Sequence, residues 1–344
     1  MPQHSGAAVL SFRPLPAIFP SMPITLSRPW PAAARSIVAA GALLIPLLAS
    51  ASPFAYVPNE KSGTVSVIDT ATDKVVADIP AGTKPRGLAV SADGNSLYVS
   101  DQPADGLVVI DLRQRKMTGR IPLGESPEGV SVSPDGQWVV GAVELTNSVV
   151  FVSTASGSKA FSVKIQGKNP EHAVFSPDGR WLFVSAEEAD TIDVVDVAKR
   201  SVVDTVRVGA RPRGIAFSPD SRTAYVACEL ASLVFVIDVP SRKVTGQVKA
   251  GSFSNGVAMA PDGRQVYVSN GKDGTVSVID TATRTVTATI PVGQRPWNMA
   301  VTPDGSKLYV ANGRSNSVSV IDTVTHRVLR DIPVGQLPWG VAIR

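Results

Sequence analysis

The sequence predicts an all-β fold, a seven-bladed β-propeller of four-stranded antiparallel blades, closed by one blade shared between the N- and C-termini. Three observations predict it. A glycine recurs at Gly82, Gly124, Gly167, Gly209, Gly251, Gly293 and Gly335, 42 residues apart except for 43 between Gly124 and Gly167. An "SPDG"-like turn keeps the same period, with its aspartate at Asp93, Asp135, Asp178, Asp220, Asp262 and Asp304. A "VSVID"-like run closes at Asp69, Asp111, Ser153, Asp196, Asp238, Asp280 and Asp322. Repeats of about 40 residues built from one supersecondary unit stack on their neighbours, because no single copy can bury its own apolar face.

The chain opens on a segment unlike the rest. Residues 1–52 hold Arg13, Arg28 and Arg35, no acidic residue, many prolines and an apolar run from Ile37 to Leu48 that ends in "ASAS". A positive stretch, an apolar stretch too short to span a bilayer and small residues at Ala49 and Ala51 are the parts of a secretory signal. A true start at Met22 and cleavage near Ala51 are expected, with residues 53–344 forming a single propeller in the periplasm or outside the cell. An uncleaved anchor is the alternative.

Within each copy, four short apolar stretches such as "PRGLAVS", "SLYVSD", "GLVVIDL" and "KMTGRIPLG" are separated by turn residues. Val, Ile and Tyr with period-two alternation argue strands, and Pro-Asp-Gly fixes the first turn, since proline presets φ and glycine tolerates positive φ. Four antiparallel strands in about 42 residues make a propeller blade. The repeats begin at "FAYVPN", which matches a second strand, and stop at "PWGVAIR", which matches a first. Residues 338–344 are therefore expected beside residues 54–80, which leaves no orphan edge. The single extra residue is expected in the outer turn "STASGSK".

Composition narrows the partners. The first 52 residues carry three of the 33 Lys and Arg and none of the 29 Asp and Glu, leaving 30 against 29. A near-neutral propeller has no concentrated basic face, so nucleic-acid binding is not expected. Cys228 is the only cysteine and cannot form an intrachain disulfide. It reads as a small strand-end residue, His326 as a solvated turn residue, and Trp138 and Trp181 as covers on blade edges.

At "LYVSD", "AYVAC", "VYVSN" and "LYVAN", each leading toward a "VID"-type strand, the sequence resembles the YVTN-type β-propeller repeat family over residues 54–344. The ending "VGQRPWNMAVTPD…YVANGRSNSVSVID…VGQLPWGVAI" is similar to propeller proteins associated with pyrroloquinoline-quinone-dependent alcohol catabolism. The resemblance implies the fold and suggests an accessory periplasmic role; it transfers no catalytic residue.

Function has room only where the copies differ. The turns on one face are monotonous, whereas the two-to-three loops and the links into strand one, around the channel on the other face, vary in chemistry. After the proline of "GxxPxG" a column runs Arg86, Glu128, Glu171, Arg213, Asn255, Trp297 and Trp339, and the next is glycine except for His172 and Asn298. The two-to-three loops add Glu60, Gln102, Glu144, Glu187 and Glu229, then Gly271 and Gly313. Such a rim suits a polar or cationic small ligand or a protein partner, with Trp297 and Trp339 as apolar or cation–π walls. Alternatively its carboxylates and arginines simply pair with one another.

Two function classes follow. One is a non-catalytic binding or scaffold propeller, monomeric and free of the membrane after leader removal. The other is a propeller enzyme of lyase or lactonase type, using His172 with Glu128 or Glu171 as acid and base. With no CxxCH, no phosphate loop, no GxSxG turn and few histidines, no cofactor or metal is expected.

Overall fold

A computed structural model describes residues 53–344; the expected leader, with Met22 and Ala51, lies outside the described residues. Seven four-stranded antiparallel sheets are arranged as blades. The innermost strands are Ala342–Ile343, Pro85–Val90, Pro127–Val132, Pro170–Phe175, Pro212–Phe217, Ser254–Met259 and Pro296–Val301, and we number blades 1 to 7 in that order. The fold class follows the sequence expectation. A short 3-10 turn at Gln102–Ala104 is the only helical element among the described residues.

Closure of the ring is made by backbone and then by side chains. In blade 1, Ala342–Ile343 pairs with Phe54–Asn59, which continues through Thr64–Asp69 to Lys74–Pro80. Phe54 and Arg344 exchange N–H···O bonds of 3.0 and 3.1 Å, and the Trp339 N–H donates to the Pro58 carbonyl at 2.9 Å. Across the seam with blade 7, Lys307 Nζ donates to the Asp73 carboxylate at 2.9 Å and to the Thr70 carbonyl at 2.8 Å, and the Tyr309 hydroxyl donates to Asp73. The final residues therefore hold the first strand.

The second and third strands of each blade are buried along most of their length, because each sheet face packs on the next blade. Fully buried Tyr267, Tyr309, Phe151 and Phe183 fill the space between sheets, and burying each such side chain stabilises by roughly 1.5–3 kcal/mol. Trp138 packs edge-on against Phe151 and Phe161, and Trp181 joins the core between blades 4 and 5. Outer strands alternate exposed and covered positions, and a bulge such as that between Val67 and Ile68 interrupts their pairing; bulges twist an exposed edge away from further pairing.

The regular face is built by local hydrogen bonds. In "SADG", Asp93 Oδ1 accepts from the Asn95 N–H at 3.0 Å and from the Ser91 hydroxyl at 2.5 Å, and the same bonds recur around Asp135, Asp178, Asp220 and Asp304.

The extra residue is not where the sequence placed it. The turn between Ser153 and Ser158 is as long as that between Asp69 and Lys74, whereas residues 165–169 join Lys164 to Pro170 where residues 81–84 join Pro80 to Pro85. The insertion thus enters the link into the strand that carries His172. Asp193 Oδ2 accommodates it by accepting from the Gln166 and Gly167 N–H groups, both at 2.8 Å.

Candidate functional site

The glycine column follows from how closely the innermost strands approach. A Cβ on Gly87 would lie 2.2 Å from the Glu128 carbonyl oxygen, on Gly129 2.6 Å from that of Glu171, and on Gly256 2.4 Å from that of Trp297. No side chain fits there, so adjacent backbones touch around the channel. His172 and Asn298 are the two exceptions, and both project into an axial cavity of about 120 Å³ also bordered by Gly87, Gly129, Gly214 and Trp339.

A second cavity of about 120 Å³ is lined by Glu60, Arg86, Glu171, Arg213, Asn255, Arg295, Trp297, Asn298 and Trp339. The structure therefore brings together seven of the sequence-predicted rim residues. Trp339 and Asn298 border both cavities and stand between them.

Most of the rim's charge is paired. Arg86 bonds Glu60 at 3.2 Å and Glu128, and Arg213 reaches Glu171 at 2.5 Å and Glu187 and Glu229 at 3.0 Å each. Arg211 bonds Glu187, and Arg295 bonds Glu229 at 2.6 Å. Glu144 has no arginine: its Oε2 accepts from the Ser126 hydroxyl at 2.5 Å, while Gln102 Nε2 donates to Ser126 and to Glu128 at 2.8 Å each.

Arg211 and Arg295 lie outside the sequence-predicted columns because they precede the proline. There the backbone is left-handed, with φ of 60° and 52°, and this throws the side chain across the mouth.

These contacts set the protonation states. Burial and the neighbouring Glu171 charge push the Glu128 carboxyl up, and Arg86 does not outweigh them. Glu171 is also buried, but Arg213 above all holds it below the usual carboxylate range. Burial raises Glu144 and Glu187 as well. Two adjacent carboxyls pushed in opposite directions form the kind of acid and base pair that chemistry can use.

His172 does not join that pair. Its ring stacks on Trp339, with centroids 5.4 Å apart and planes 20° from parallel, and neither ring nitrogen has a hydrogen-bond partner. Burial lowers its pKa to about 4, so the imidazole is neutral at ordinary pH. His172 thus makes no ring hydrogen bond to Glu128 or Glu171, the carboxylates the sequence offered as its partners.

On the other arc of the mouth, glycine replaces the loop glutamate. Arg295 lies over Gly271, where a Cβ would come within 3.0 Å of Nη1, and the Trp297 indole lies over Gly313, also at 3.0 Å. Arg295 and Lys272 both face the Phe253 ring at 5.7 Å from its centroid.

The remaining sequence candidates are quiet. Cys228 is fully buried and its thiol is pushed up to about 12 by burial, which makes it unreactive. His326 sits half-buried in its turn, with Nε2 3.5 Å from Gln265.

Family comparison agrees with this architecture. Residues 172–329 match the model of the lactonase family, described as a seven-bladed β-propeller, and residues 31–136 match the YncE-like β-propeller model. The chain is a β-propeller with YncE-like and lactonase-like segments. It is 46% identical over 63 residues to the uncharacterised YncE protein of Salmonella typhimurium, a stretch covering 18% of each chain. It thus spans about a fifth of that relative's length.

Similar solved structures share the propeller. Hydrazine synthase of Kuenenia stuttgartiensis has a TM-score of 0.72 at 24% identity over 78% of this chain and 92% of its own. A protein of unknown function from Desulfotomaculum acetoxidans scores 0.75 at 19% identity, over 84% and 98%. A Bacteroides fragilis protein described as a candidate 6-phosphogluconolactonase scores 0.73 at 19% identity, over 87% and 99%. At these identities the likeness is one of fold.

Proposed function

We propose that this protein is a non-catalytic, periplasmic or secreted β-propeller that binds a protein partner or a small polar ligand at the mouth of its channel. The observation that carries the reading is His172: stacked beneath Trp339 and bonded to no carboxylate, it leaves the enzyme hypothesis without its assembled acid and base. The mouth still offers a recognition surface of two indoles, Trp297 and Trp339, beside the amides of Asn255 and Asn298 and the edge of Arg295. Aromatic faces with a few placed polar groups are what binding sites use.

The expected leader in residues 1–52 supports export, and the balanced charge of the rest supports a partner other than nucleic acid. Among the described residues no helix is long and apolar enough to cross a membrane. The protein acts as a monomer, needs no cofactor to bind, and serves as an accessory to quinoprotein-dependent catabolism or its transport system, a role supported by the resemblance of its last two repeats. The test is retention of a partner from periplasmic extract by the wild type and its loss in Trp297→Ala. Equal retention by both would sink the assignment to the mouth.

A lactonase or lyase is the second reading, favoured by the lactonase-family match over residues 172–329 and by the opposed Glu128 and Glu171 carboxyls. Turnover of a sugar lactone by the wild type, abolished in His172→Ala without loss of partner binding, would replace the binding-only reading with this one.

A further inference from the structure

Each link between blades ends in a residue whose N–H faces a two-to-three loop, and in six of the links a side chain accepts it. The Lys84 N–H donates to Asp101 at 2.9 Å, Ser126 to Asp105 at 3.3 Å, Asn169 to Asn147 at 2.8 Å, Arg211 to Asp190 at 3.0 Å, Phe253 to Ser232 at 3.2 Å and Leu337 to Asn316 at 3.0 Å. In the link into blade 7 the loop residue at this place is Gly274, and the Arg295 N–H has no acceptor among the described residues. Asn312, which stands in blade 7 where Asp101 stands in blade 2, does not take it either, since its Oδ1 is unpartnered.

Room lies where the acceptor is missing. Gly274 and Arg295 both line a cavity of about 550 Å³ between the loops of blades 6 and 7. Gly274 keeps the left-handed backbone of the residues that supply the acceptor elsewhere, with φ of 65° against 53° at Asp105, 57° at Asp190 and 54° at Asn316. Only the side chain is gone.

The charge of this cavity is positive. Lys272, Arg295 and Arg314 border it against one carboxylate, Asp273. Arg295 is held by Glu229 at 2.6 Å, and Asp273 accepts from the Ser252 N–H at 2.6 Å. The exposed Lys272 and Arg314 are ion-paired to no described residue, so two free cations face one acid. The corresponding cavity between blades 4 and 5, of about 470 Å³, is lined instead by Glu187, Glu188, Asp190 and Arg211, and there Asp190 is the acceptor. One copy carries its carboxylate built in; the other has the room, the unpartnered N–H and the opposite charge.

We infer that the cavity between blades 6 and 7 binds the carboxylate of a small organic acid, one oxygen accepting from the Arg295 N–H and the charge facing Lys272 and Arg314. Hydrogen bonds from backbone N–H groups to a carboxylate are stronger than neutral ones, and backbone N–H groups beside a left-handed residue form anion-binding concavities. A single net positive charge suits a monoanion. Phe253, Pro291 and Val292 supply an apolar wall for the body of the acid. The site stands whether or not the mouth also takes a partner.

The test is calorimetric titration of the mature protein with sodium benzoate at pH 7, against sodium chloride at matched ionic strength, with thermal unfolding alongside. Binding of one benzoate per chain is expected. Gly274→Asn, which supplies the acceptor that Asn147 and Asn316 supply to their own links, is expected to weaken binding by about tenfold, the worth of one hydrogen bond to a charged group, and to unfold no earlier than the wild type. Arg314→Gln, which leaves the backbone alone, is expected to weaken binding by about threefold. Lys61→Gln, an exposed base of the same face outside the cavity, is expected to bind as the wild type does. The inference is overturned by no benzoate heat beyond the salt control at about 50 mM, by binding that Gly274→Asn and Arg314→Gln both leave unchanged, or by tighter binding of phosphate or of a tri-glutamate peptide than of benzoate.

Discussion

The two arcs of the mouth solve opposite problems with the same backbone. From blade 2 to blade 5 the loops and innermost strands present Glu128, Glu144, Glu171, Glu187 and Glu229, and arginines are packed among them until little of the charge is free. From blade 6 through blade 7 to blade 1 the loop acid is first replaced by Gly271 and Gly313, and the vacated space is taken by Arg295 and Trp297 lying over the glycines. The first arc is an electrostatic network whose members depend on one another. The second is a set of aromatic faces resting on backbone, and its members depend mainly on local room. Substitutions should therefore spread in the first arc and stay local in the second.

The largest expected effect breaks the first arc at its centre. Arg213 serves Glu171, Glu187 and Glu229, all buried, and its own side chain is only 13% exposed. Arg213→Ala leaves three carboxylates short of a partner, and removing one member of a buried ion pair costs about 3–5 kcal/mol. Chemical denaturation at pH 7 should show that loss. A cost below about 1 kcal/mol would mean the network is solvated and the contrast between the arcs is wrong.

The next effect lies at the boundary between the arcs, where His172 meets Trp339. Burial lowers the folded-state pKa of His172 from the usual 6.5 to about 4. As pH falls from 6.5 toward 4 the unfolded chain takes up a proton that the folded one refuses, so stability declines across that window and is flat above it. The integrated loss is about 3 kcal/mol. His172→Phe, which keeps a ring on Trp339, should remove most of that slope. A slope unchanged in the variant would assign the titration elsewhere.

A smaller effect of opposite sign tests the crowding of the acids. Glu128→Gln keeps an oxygen for Arg86 and Gln102 and removes a charge that burial and Glu171 disfavour. With its folded pKa raised, the wild-type glutamate contributes stability below its unfolded value and loses it as pH rises. The variant should therefore be more stable by about 1 kcal/mol at pH 8. A less stable variant would show that the Arg86 pair outweighs desolvation.

How much of this was legible in the sequence differs by level. The ring was, because a period of 42 residues and mismatched ends are properties of the repeat itself, and Ala342–Ile343 beside Phe54–Asn59 is its direct consequence. The rim columns were also legible, since Arg86, Glu171, Arg213, Asn255, Trp297 and Trp339 occupy one register of equivalent strands and must meet around one hole. Pairing was not. Whether His172 turns to Glu171 or to Trp339 depends on a rotamer and on the residue that blade 1 places across the channel. The extra residue was misplaced for a related reason: the marker glycine and the "VID" run bracket both the outer turn and the inner link, and only strand register separates them. Arg211 and Arg295 were passed over because a left-handed residue before proline reads as a link, although it is what sends their side chains inward.

The smallest effect probes the second arc, and its value lies in staying small. Gly313 has no positive φ, so alanine there meets no backbone penalty and reduces the freedom of the unfolded chain, a gain of about 0.4–1 kcal/mol where the site has room. Its Cβ would, however, stand 3.0 Å from Cε3 and Cζ3 of Trp297, closer than carbon atoms rest. Either the indole lifts by a few tenths of an ångström or the gain is cancelled. Gly313→Ala should therefore change stability by less than about 0.5 kcal/mol while altering Trp297 fluorescence, and it should leave the cost of Arg213→Ala in the opposite arc unchanged. An effect on both arcs would show that Trp297 is wired to the acidic network through Arg295 and Glu229, and the mouth would then have to be treated as one coupled surface.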